Sequence, residues 1–150
     1  RDTDKLAWAE SLGQGTVQSF LAEAARQLGL WVVGGTLPLA CADAQRVRNT
    51  TLVYNPGGQC VARYDKIHLF RFDNGHERYD EGASIEPGTE PVAFTLVARN
   101  GQPWRVGLSV CYDLRFPELF RGRGAAGVTA RERVLRRCPA PRAGGCPRPA

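Results

Sequence analysis

Lysine is almost missing from this chain: there are two, Lys5 and Lys66, against eighteen arginines. No apolar run approaches the ~20 residues that a transmembrane helix needs, which leaves no membrane partner to expect. The five cysteines (Cys41, Cys60, Cys111, Cys138 and Cys146) form no Cys-x-x-Cys pair, and their odd number cannot pair completely. Residues Arg1 to Asp4 do not have the shape of a secretory leader. These features together suggest reduced thiols in a cytoplasmic setting rather than a disulfide frame. His68 and His76 stand eight apart without a second ligand pair at zinc spacing, so no metal site is expected.

What is present is ordinary globular chemistry on the scale of one domain: 150 residues, 43% hydrophobic and 23% charged. The net charge of +5 invites a nucleic-acid reading until it is divided along the chain. From Gly122 onward seven arginines face one acid, Glu132, giving +6, whereas residues 1–121 sum to −1. That last stretch is rich in Arg, Ala, Gly and Pro. It has no aromatic residue and only Val128, Val134 and Leu135 as large aliphatics. Such a composition buries too little apolar surface to offset chain entropy. Residues 122–150 are therefore expected to be a disordered or non-native tail on a domain spanning 1–121.

Within 1–121 the pattern is that of a layered α/β unit. Val17, Phe20, Leu21, Ala24, Ala25 and Leu28 recur at helical spacing, predicting an amphipathic helix over 14–29 that Gly29 stops. Trp31-Val32-Val33 predicts a short buried strand closed by Gly34-Gly35. Thr50–Tyr54 and Gln59–Tyr64 flank Asn55-Pro56-Gly57-Gly58 and predict a hairpin. A long polar loop follows over 71–90, of a length that is often functional. A second hairpin runs from Val92 to Val97 and from Trp104 to Val110 around Asn100-Gly101, and Pro117 opens a new helix.

Two residues stand out for chemistry. Cys111 falls at the carboxyl end of an alternating strand just before a helix, where α/β folds expose a nucleophile beside unpaired amides. It is either that nucleophile or a small buried hydrophobe. Lys66, in Tyr64-Asp65-Lys66-Ile67-His68-Leu69-Phe70, is either a cation that stabilises developing oxyanion charge or a solvated strand-end lysine.

That heptad, and Val110-Cys111-Tyr112-Asp113-Leu114-Arg115-Phe116-Pro117-Glu118-Leu119, resemble the lysine and cysteine signatures of the nitrilase superfamily of carbon–nitrogen hydrolases. Gly34-Gly35, Asn49-Thr50, the Asn55–Gly58 turn and Tyr79-Asp80-Glu81 are similar as well, and the likeness runs from about residue 6 to Arg121. Within the superfamily the chain looks closest to the amidases that act on omega-amides and on deaminated glutathione. The resemblance implies an α/β fold, an incomplete four-layer α-β-β-α sandwich, and a cysteine hydrolase of small carboxylic amides needing no cofactor or metal. Cys111 would be the nucleophile, Lys66 the oxyanion stabiliser with the Tyr112 backbone N–H, and Glu81 an auxiliary carboxylate. Glu81 could equally be a solvated loop residue.

The chain departs from the family twice. No glutamate here matches the general-base motif, which precedes the first amphipathic helix: Glu10 and Glu23 lie in or beside helical segments, and Glu118 belongs to the cysteine motif. The likeness also stops where the arginine-rich composition begins, so a frameshifted or truncated reading is expected, and with it an inactive fragment with exposed strand edges. Full-length relatives are expected to be homo-oligomers. Two other readings compete: a non-catalytic family remnant, and a nucleic-acid binder using the basic tail. The tail lacks the interleaved aromatics of single-strand binders, so no nucleic-acid partner is expected.

Overall fold

The computed structural model describes residues 4–121 and 130–131. A short helix α1 (Asp4–Ala7) precedes the main helix α2 (Thr16–Leu28). Three antiparallel strands follow, β1 (Val32–Ala40), β2 (Val47–Tyr54) and β3 (Cys60–Asp65), in the order β1-β2-β3. A small hairpin of β4 (Arg71–Asp73) and β5 (Arg78–Asp80) leads into a 3-10 turn at Glu81–Ala83. Strands β6 (Ala93–Val97) and β7 (Pro103–Gly107) form a second hairpin, and the two-residue β8 (Ala130–Arg131) pairs parallel to β7. Between β7 and β8 lie a 3-10 helix, Cys111–Arg115, and α3 (Pro117–Arg121). Apart from β8, the arginine-rich tail lies outside the described residues.

The alternation of side chains along β2 organises the layers. Leu52 and Tyr54 point to one side, where they join Leu37, Leu39 and Ala25 under α2. Val53 points to the other, where it joins Tyr64 of β3 with Phe94 and Val106 of the second sheet and Leu108 and Val110 just beyond β7. The described residues thus stack as helix, sheet, sheet, with one apolar seam on each side of β2.

Helix α2 spans nearly the predicted range. Gly29 closes it in the left-handed conformation, φ 61°, its N–H returned to the Ala25 carbonyl. The buried face differs from the predicted one. Gln18 and Ala25 are buried and Leu21 and Ala22 pack on the sheet, whereas Phe20 is 69% exposed and Val17 and Leu28 are open as well. The apolar arc is wider than the strip in contact, and Gln18 turns that strip inward. Its side-chain amide bonds the Ser11 and Gln14 carbonyls and the Glu10 carboxylate. Glu10 in turn accepts the Val17 N–H at 2.7 Å and the Gln18 N–H at 3.2 Å, a carboxylate cap on the helix start. Partial burial pushes its carboxyl up, and the Val17, Gln18 and Thr16 bonds outweigh that and hold it below its ordinary range.

Three other expectations change. Gly34 and Gly35 do not end a strand: β1 runs through them to Ala40, and a Cβ on Gly34 would stand 2.4 Å from the Leu21 Cδ1. The glycine is there for close approach of α2 to the sheet. Residues 71–83 of the expected 71–90 loop are a β4–β5 hairpin and a 3-10 turn, and the rest is irregular apart from a bridge at Ile85. Strand β7 stops at Gly107, short of the predicted Val110, whose N–H is taken by the Asp113 carboxylate.

Candidate active site

Lys66 follows the last residue of β3 on the side that Tyr64 occupies, facing the seam between the sheets. Its backbone is gripped twice: its N–H donates to the Asn49 carbonyl and its carbonyl accepts the Gly88 N–H, both at 2.9 Å. Gly88 is pressed so close that a Cβ there would lie 2.3 Å from the Asp65 oxygen. The lysine side chain is only 1% exposed, and its Nζ lies 2.5 Å from Glu81 Oε2. A buried ammonium is costly unless it is paired.

The β4–β5 hairpin explains how Glu81 reaches it. Phe70 and Glu81 flank the hairpin, and the Glu81 N–H donates to the Phe70 carbonyl at 3.0 Å. The Phe70 N–H in turn donates to Glu81 Oε2 at 2.8 Å, the same oxygen that faces Lys66. This short polar hairpin is the device that delivers the carboxylate.

Cys111 opens the 3-10 helix after Val110 and packs against the apolar seam. Its φ is 49°, the one positive value among the described non-glycine residues. A side chain in the left-handed region is strained by about 1–3 kcal/mol and persists only where surroundings hold it. Cys111, Cys41 and Cys60 form no disulfide. Burial pushes the Cys41 thiol up, even with its bond to the Asp43 carbonyl, and nothing marks Cys41 as reactive.

Asp113, fully buried, is the residue the sequence reading left without a role. Its Oδ2 accepts the Tyr64 hydroxyl at 2.6 Å and the Val110 N–H at 2.8 Å. Its Oδ1 accepts the His68 N–H at 3.0 Å and faces the His68 Nδ1 at 2.7 Å, so that ring nitrogen carries the proton. Burial, and then the Asp113 bond, push the Tyr64 hydroxyl well above its ordinary range, so it stays a donor. The available signal was an aspartate inside an otherwise apolar motif, where a carboxylate must find donors.

Aromatic packing joins the same two segments. His68 stacks on Phe116 with centroids 3.7 Å apart, and Tyr112 meets Phe70 and Phe116 edge-on at 5.2 and 5.4 Å. Lys66 and Glu81 are therefore in direct contact, and Cys111 and Tyr112 are fastened to the Lys66 segment through Asp113 and these rings. Glu23 instead pairs with Arg26 on the surface of α2, and Glu118 is exposed in α3.

On the opposite face of β3, Asp65 is bound by Arg63, Thr50 and Arg48. Burial raises its carboxyl and these partners outweigh it, holding it below its ordinary range. Arg48 also pairs with Glu86, and these residues line an open cleft of about 500 Å³. Among the described residues no three His, Cys, Asp or Glu side chains gather as a metal site, and no helix is long and apolar enough to cross a membrane.

The chain is 37% identical over 124 residues to the deaminated glutathione amidase of Yersinia enterocolitica, covering 80% of this chain and 41% of that protein. It is 38% identical over 101 residues to the omega-amidase NIT2 of Homo sapiens, covering 66% and 34%. The chain thus spans about two-fifths or less of these relatives' lengths. Saccharomyces cerevisiae Nit3, a member of branch 10 of the nitrilase superfamily, matches with a TM-score of 0.68 at 25% identity, over 90% of this chain and 46% of that one. The Caenorhabditis elegans NitFhit protein matches with a TM-score of 0.73 at 28% identity, over 90% and 32%. In a mutant of the Nesterenkonia sp. AN1 amidase, which is 26% identical with a TM-score of 0.66 over 90% of this chain and 48% of that one, acrylamide has added to the active-site cysteine. The carbon–nitrogen hydrolase family model matches residues 2–143, and the chain belongs to that family.

Proposed function

We propose that the protein is a cysteine hydrolase of non-peptide carbon–nitrogen bonds, converting small carboxylic amides to acid and ammonia. The observation that carries this reading is the buried Lys66 ammonium held by Glu81, in the motif whose partner segment presents Cys111 at a strained turn. The Cys111 thiolate adds to the amide carbonyl carbon, and the carbonyl electron pair moves onto oxygen. Lys66 and the Tyr112 backbone N–H stabilise that oxyanion. The carbon–nitrogen bond then breaks, the nitrogen leaves as ammonia carrying the proton that the Cys111 thiol gave up, and a thioester remains on Cys111. Water adds to the thioester and releases the acid and the thiol. Glu81 orients Lys66 and balances its charge.

These residues supply the nucleophile and the cation, while no glutamate among the 150 matches the family's general base. The 150-residue chain by itself is accordingly expected to turn over no amide. The described layers support an incomplete α-β-β-α sandwich over 1–121. The arginine-rich segment is not cut off cleanly at residue 122, since the family model runs to residue 143 and β8 pairs with β7. We further propose that the protein works in the cytoplasm.

Acrylamide labelling followed by peptide mass spectrometry tests the reading. The adduct is expected on Cys111 ahead of the exposed Cys60, with the preference lost in Lys66→Met. Equal or faster labelling of Cys60 would refute a specialised thiol. Ammonia release from small amides at enzyme-like rates by the 150-residue chain, abolished in Cys111→Ala, would overturn its inactivity.

A further inference from the structure

The Asp113 carboxylate is saturated: each oxygen takes two donors, and the four come from two segments some forty-five residues apart. Two come from His68 and one from Tyr64, either side of Lys66. The fourth is the Val110 N–H, immediately before Cys111. The Asp113 N–H also donates to the Val110 carbonyl at 3.1 Å, so both backbone groups of Val110 are fixed by one residue three positions on. The intervening residues are Cys111, at φ 49°, and Tyr112. A fold held together by apolar packing alone has no need to press a thiol into this conformation.

We infer that Asp113 is the positioning residue of the site. It clamps the Val110–Asp113 turn so that the Cys111 thiol and the Tyr112 backbone N–H are presented together, and it ties that turn to the strand end carrying Lys66. Tyr64 and His68 are the anchors through which it does so. This assignment rests on the reading of Cys111 as nucleophile. Asparagine at 113 would keep one acceptor oxygen and turn an amide NH2 toward two donors, which breaks half of the clamp. Without the clamp, Cys111 relaxes toward ordinary negative φ and the thiol leaves its place beside the Lys66 segment.

The experiment measures acrylamide addition to each thiol of the 150-residue chain against time, resolved by peptide mass spectrometry, alongside a thermal melt. In Asp113→Asn, Cys111 is expected to react on the order of 10- to 100-fold more slowly, the scale for a misplacement near 1 Å, while Cys60 keeps its rate. Tyr64→Phe removes a single anchor and is expected to fall between wild type and Asp113→Asn, which keeps the test open if the asparagine variant fails to fold. A role confined to stability gives the opposite pattern: the melt falls, and Cys41, Cys60 and Cys111 all label faster as the fold opens. That pattern, or unchanged Cys111 kinetics in folded variants, overturns the assignment. A wild-type Cys111 no more reactive than Cys60 refutes the functional reading itself, a separate outcome.

Discussion

Removing Glu81 should unbalance the site more than its position on a short surface hairpin suggests. In Glu81→Ala, Lys66, 1% exposed in the wild type, loses the carboxylate 2.5 Å away. At that separation and an effective dielectric of about 20 the gross attraction is on the order of 7 kcal/mol. Desolvation of the two ions cancels much of this in the native state. Leaving one ion buried alone costs about 3–5 kcal/mol, and the orphaned Phe70 N–H adds about 1 kcal/mol. Lys66→Met should be milder, because Glu81 is 12% exposed and keeps the Phe70 N–H. Urea unfolding of wild type, the two single variants and the double variant closes the cycle. If Glu81→Ala leaves too little folded protein, Glu81→Gln, which retains an acceptor, takes its place. The double variant is expected to be more stable than the two losses predict, by about 1–3 kcal/mol, the range for contacting groups. Additivity within about 0.5 kcal/mol would mean that the pair does not interact, and the argument from the buried cation would fail.

Gly88→Ala should destabilise by about 1–3 kcal/mol through overpacking, because its Cβ meets the Asp65 backbone at 2.3 Å; a urea midpoint equal to wild type would contradict the close approach. On helix α2, Phe20→Glu should leave the melt nearly unchanged, and Ala25→Glu, at a fully buried position, should abolish a cooperative transition in circular dichroism. For pH, Asp65 and Glu10 lie below their ordinary 3.8 and 4.5 in the folded chain. Their contribution is therefore complete above those values and disappears as pH falls through the lower folded ones. The urea midpoint should fall below about pH 4, with a shallower fall in Asp65→Asn.

How much of this was legible in the sequence follows from the range of the signals. The two hairpins were readable because Asn55-Pro56-Gly57-Gly58 and Asn100-Gly101 specify turns locally. Helix α2 was readable in extent for the same reason, with Gly29 ending it. Its buried face was not, since Val17, Phe20 and Leu28 satisfy the period as well as Leu21 and Ala25 do. The choice between them depends on Gly34 across the interface and on the Gln18–Glu10 bonds at the helix start. The β4–β5 hairpin escaped notice because its three-residue strands are too short and polar to show alternation. Lys66 and Cys111 were found by their motifs, which say nothing of what holds them. The contacts that do, Lys66 with Glu81 and Asp113 with Tyr64 and His68, join residues fifteen to forty-nine apart that no local pattern connects.

The arrangement also determines which part of the molecule the thiol reports on. The β1–β2–β3 sheet and the β6–β7 hairpin belong to separate sheets and share no ladder. They are joined by the apolar seam, by the Trp31 indole bond to the Val97 carbonyl, and by the donors gathered on Asp113. Lys66 is fixed to the first sheet through the Asn49 carbonyl, whereas Cys111 follows from the second through Val110. A motion that parts the sheets without melting either one would separate Cys111 from Lys66 at once. Such an opening breaks fewer contacts than global unfolding and so lies lower in free energy. The Cys111 labelling rate should therefore change at urea concentrations below the midpoint recorded by circular dichroism. If the two transitions coincide, the seam and the sheets open as one unit, and the site is as stable as the fold that carries it.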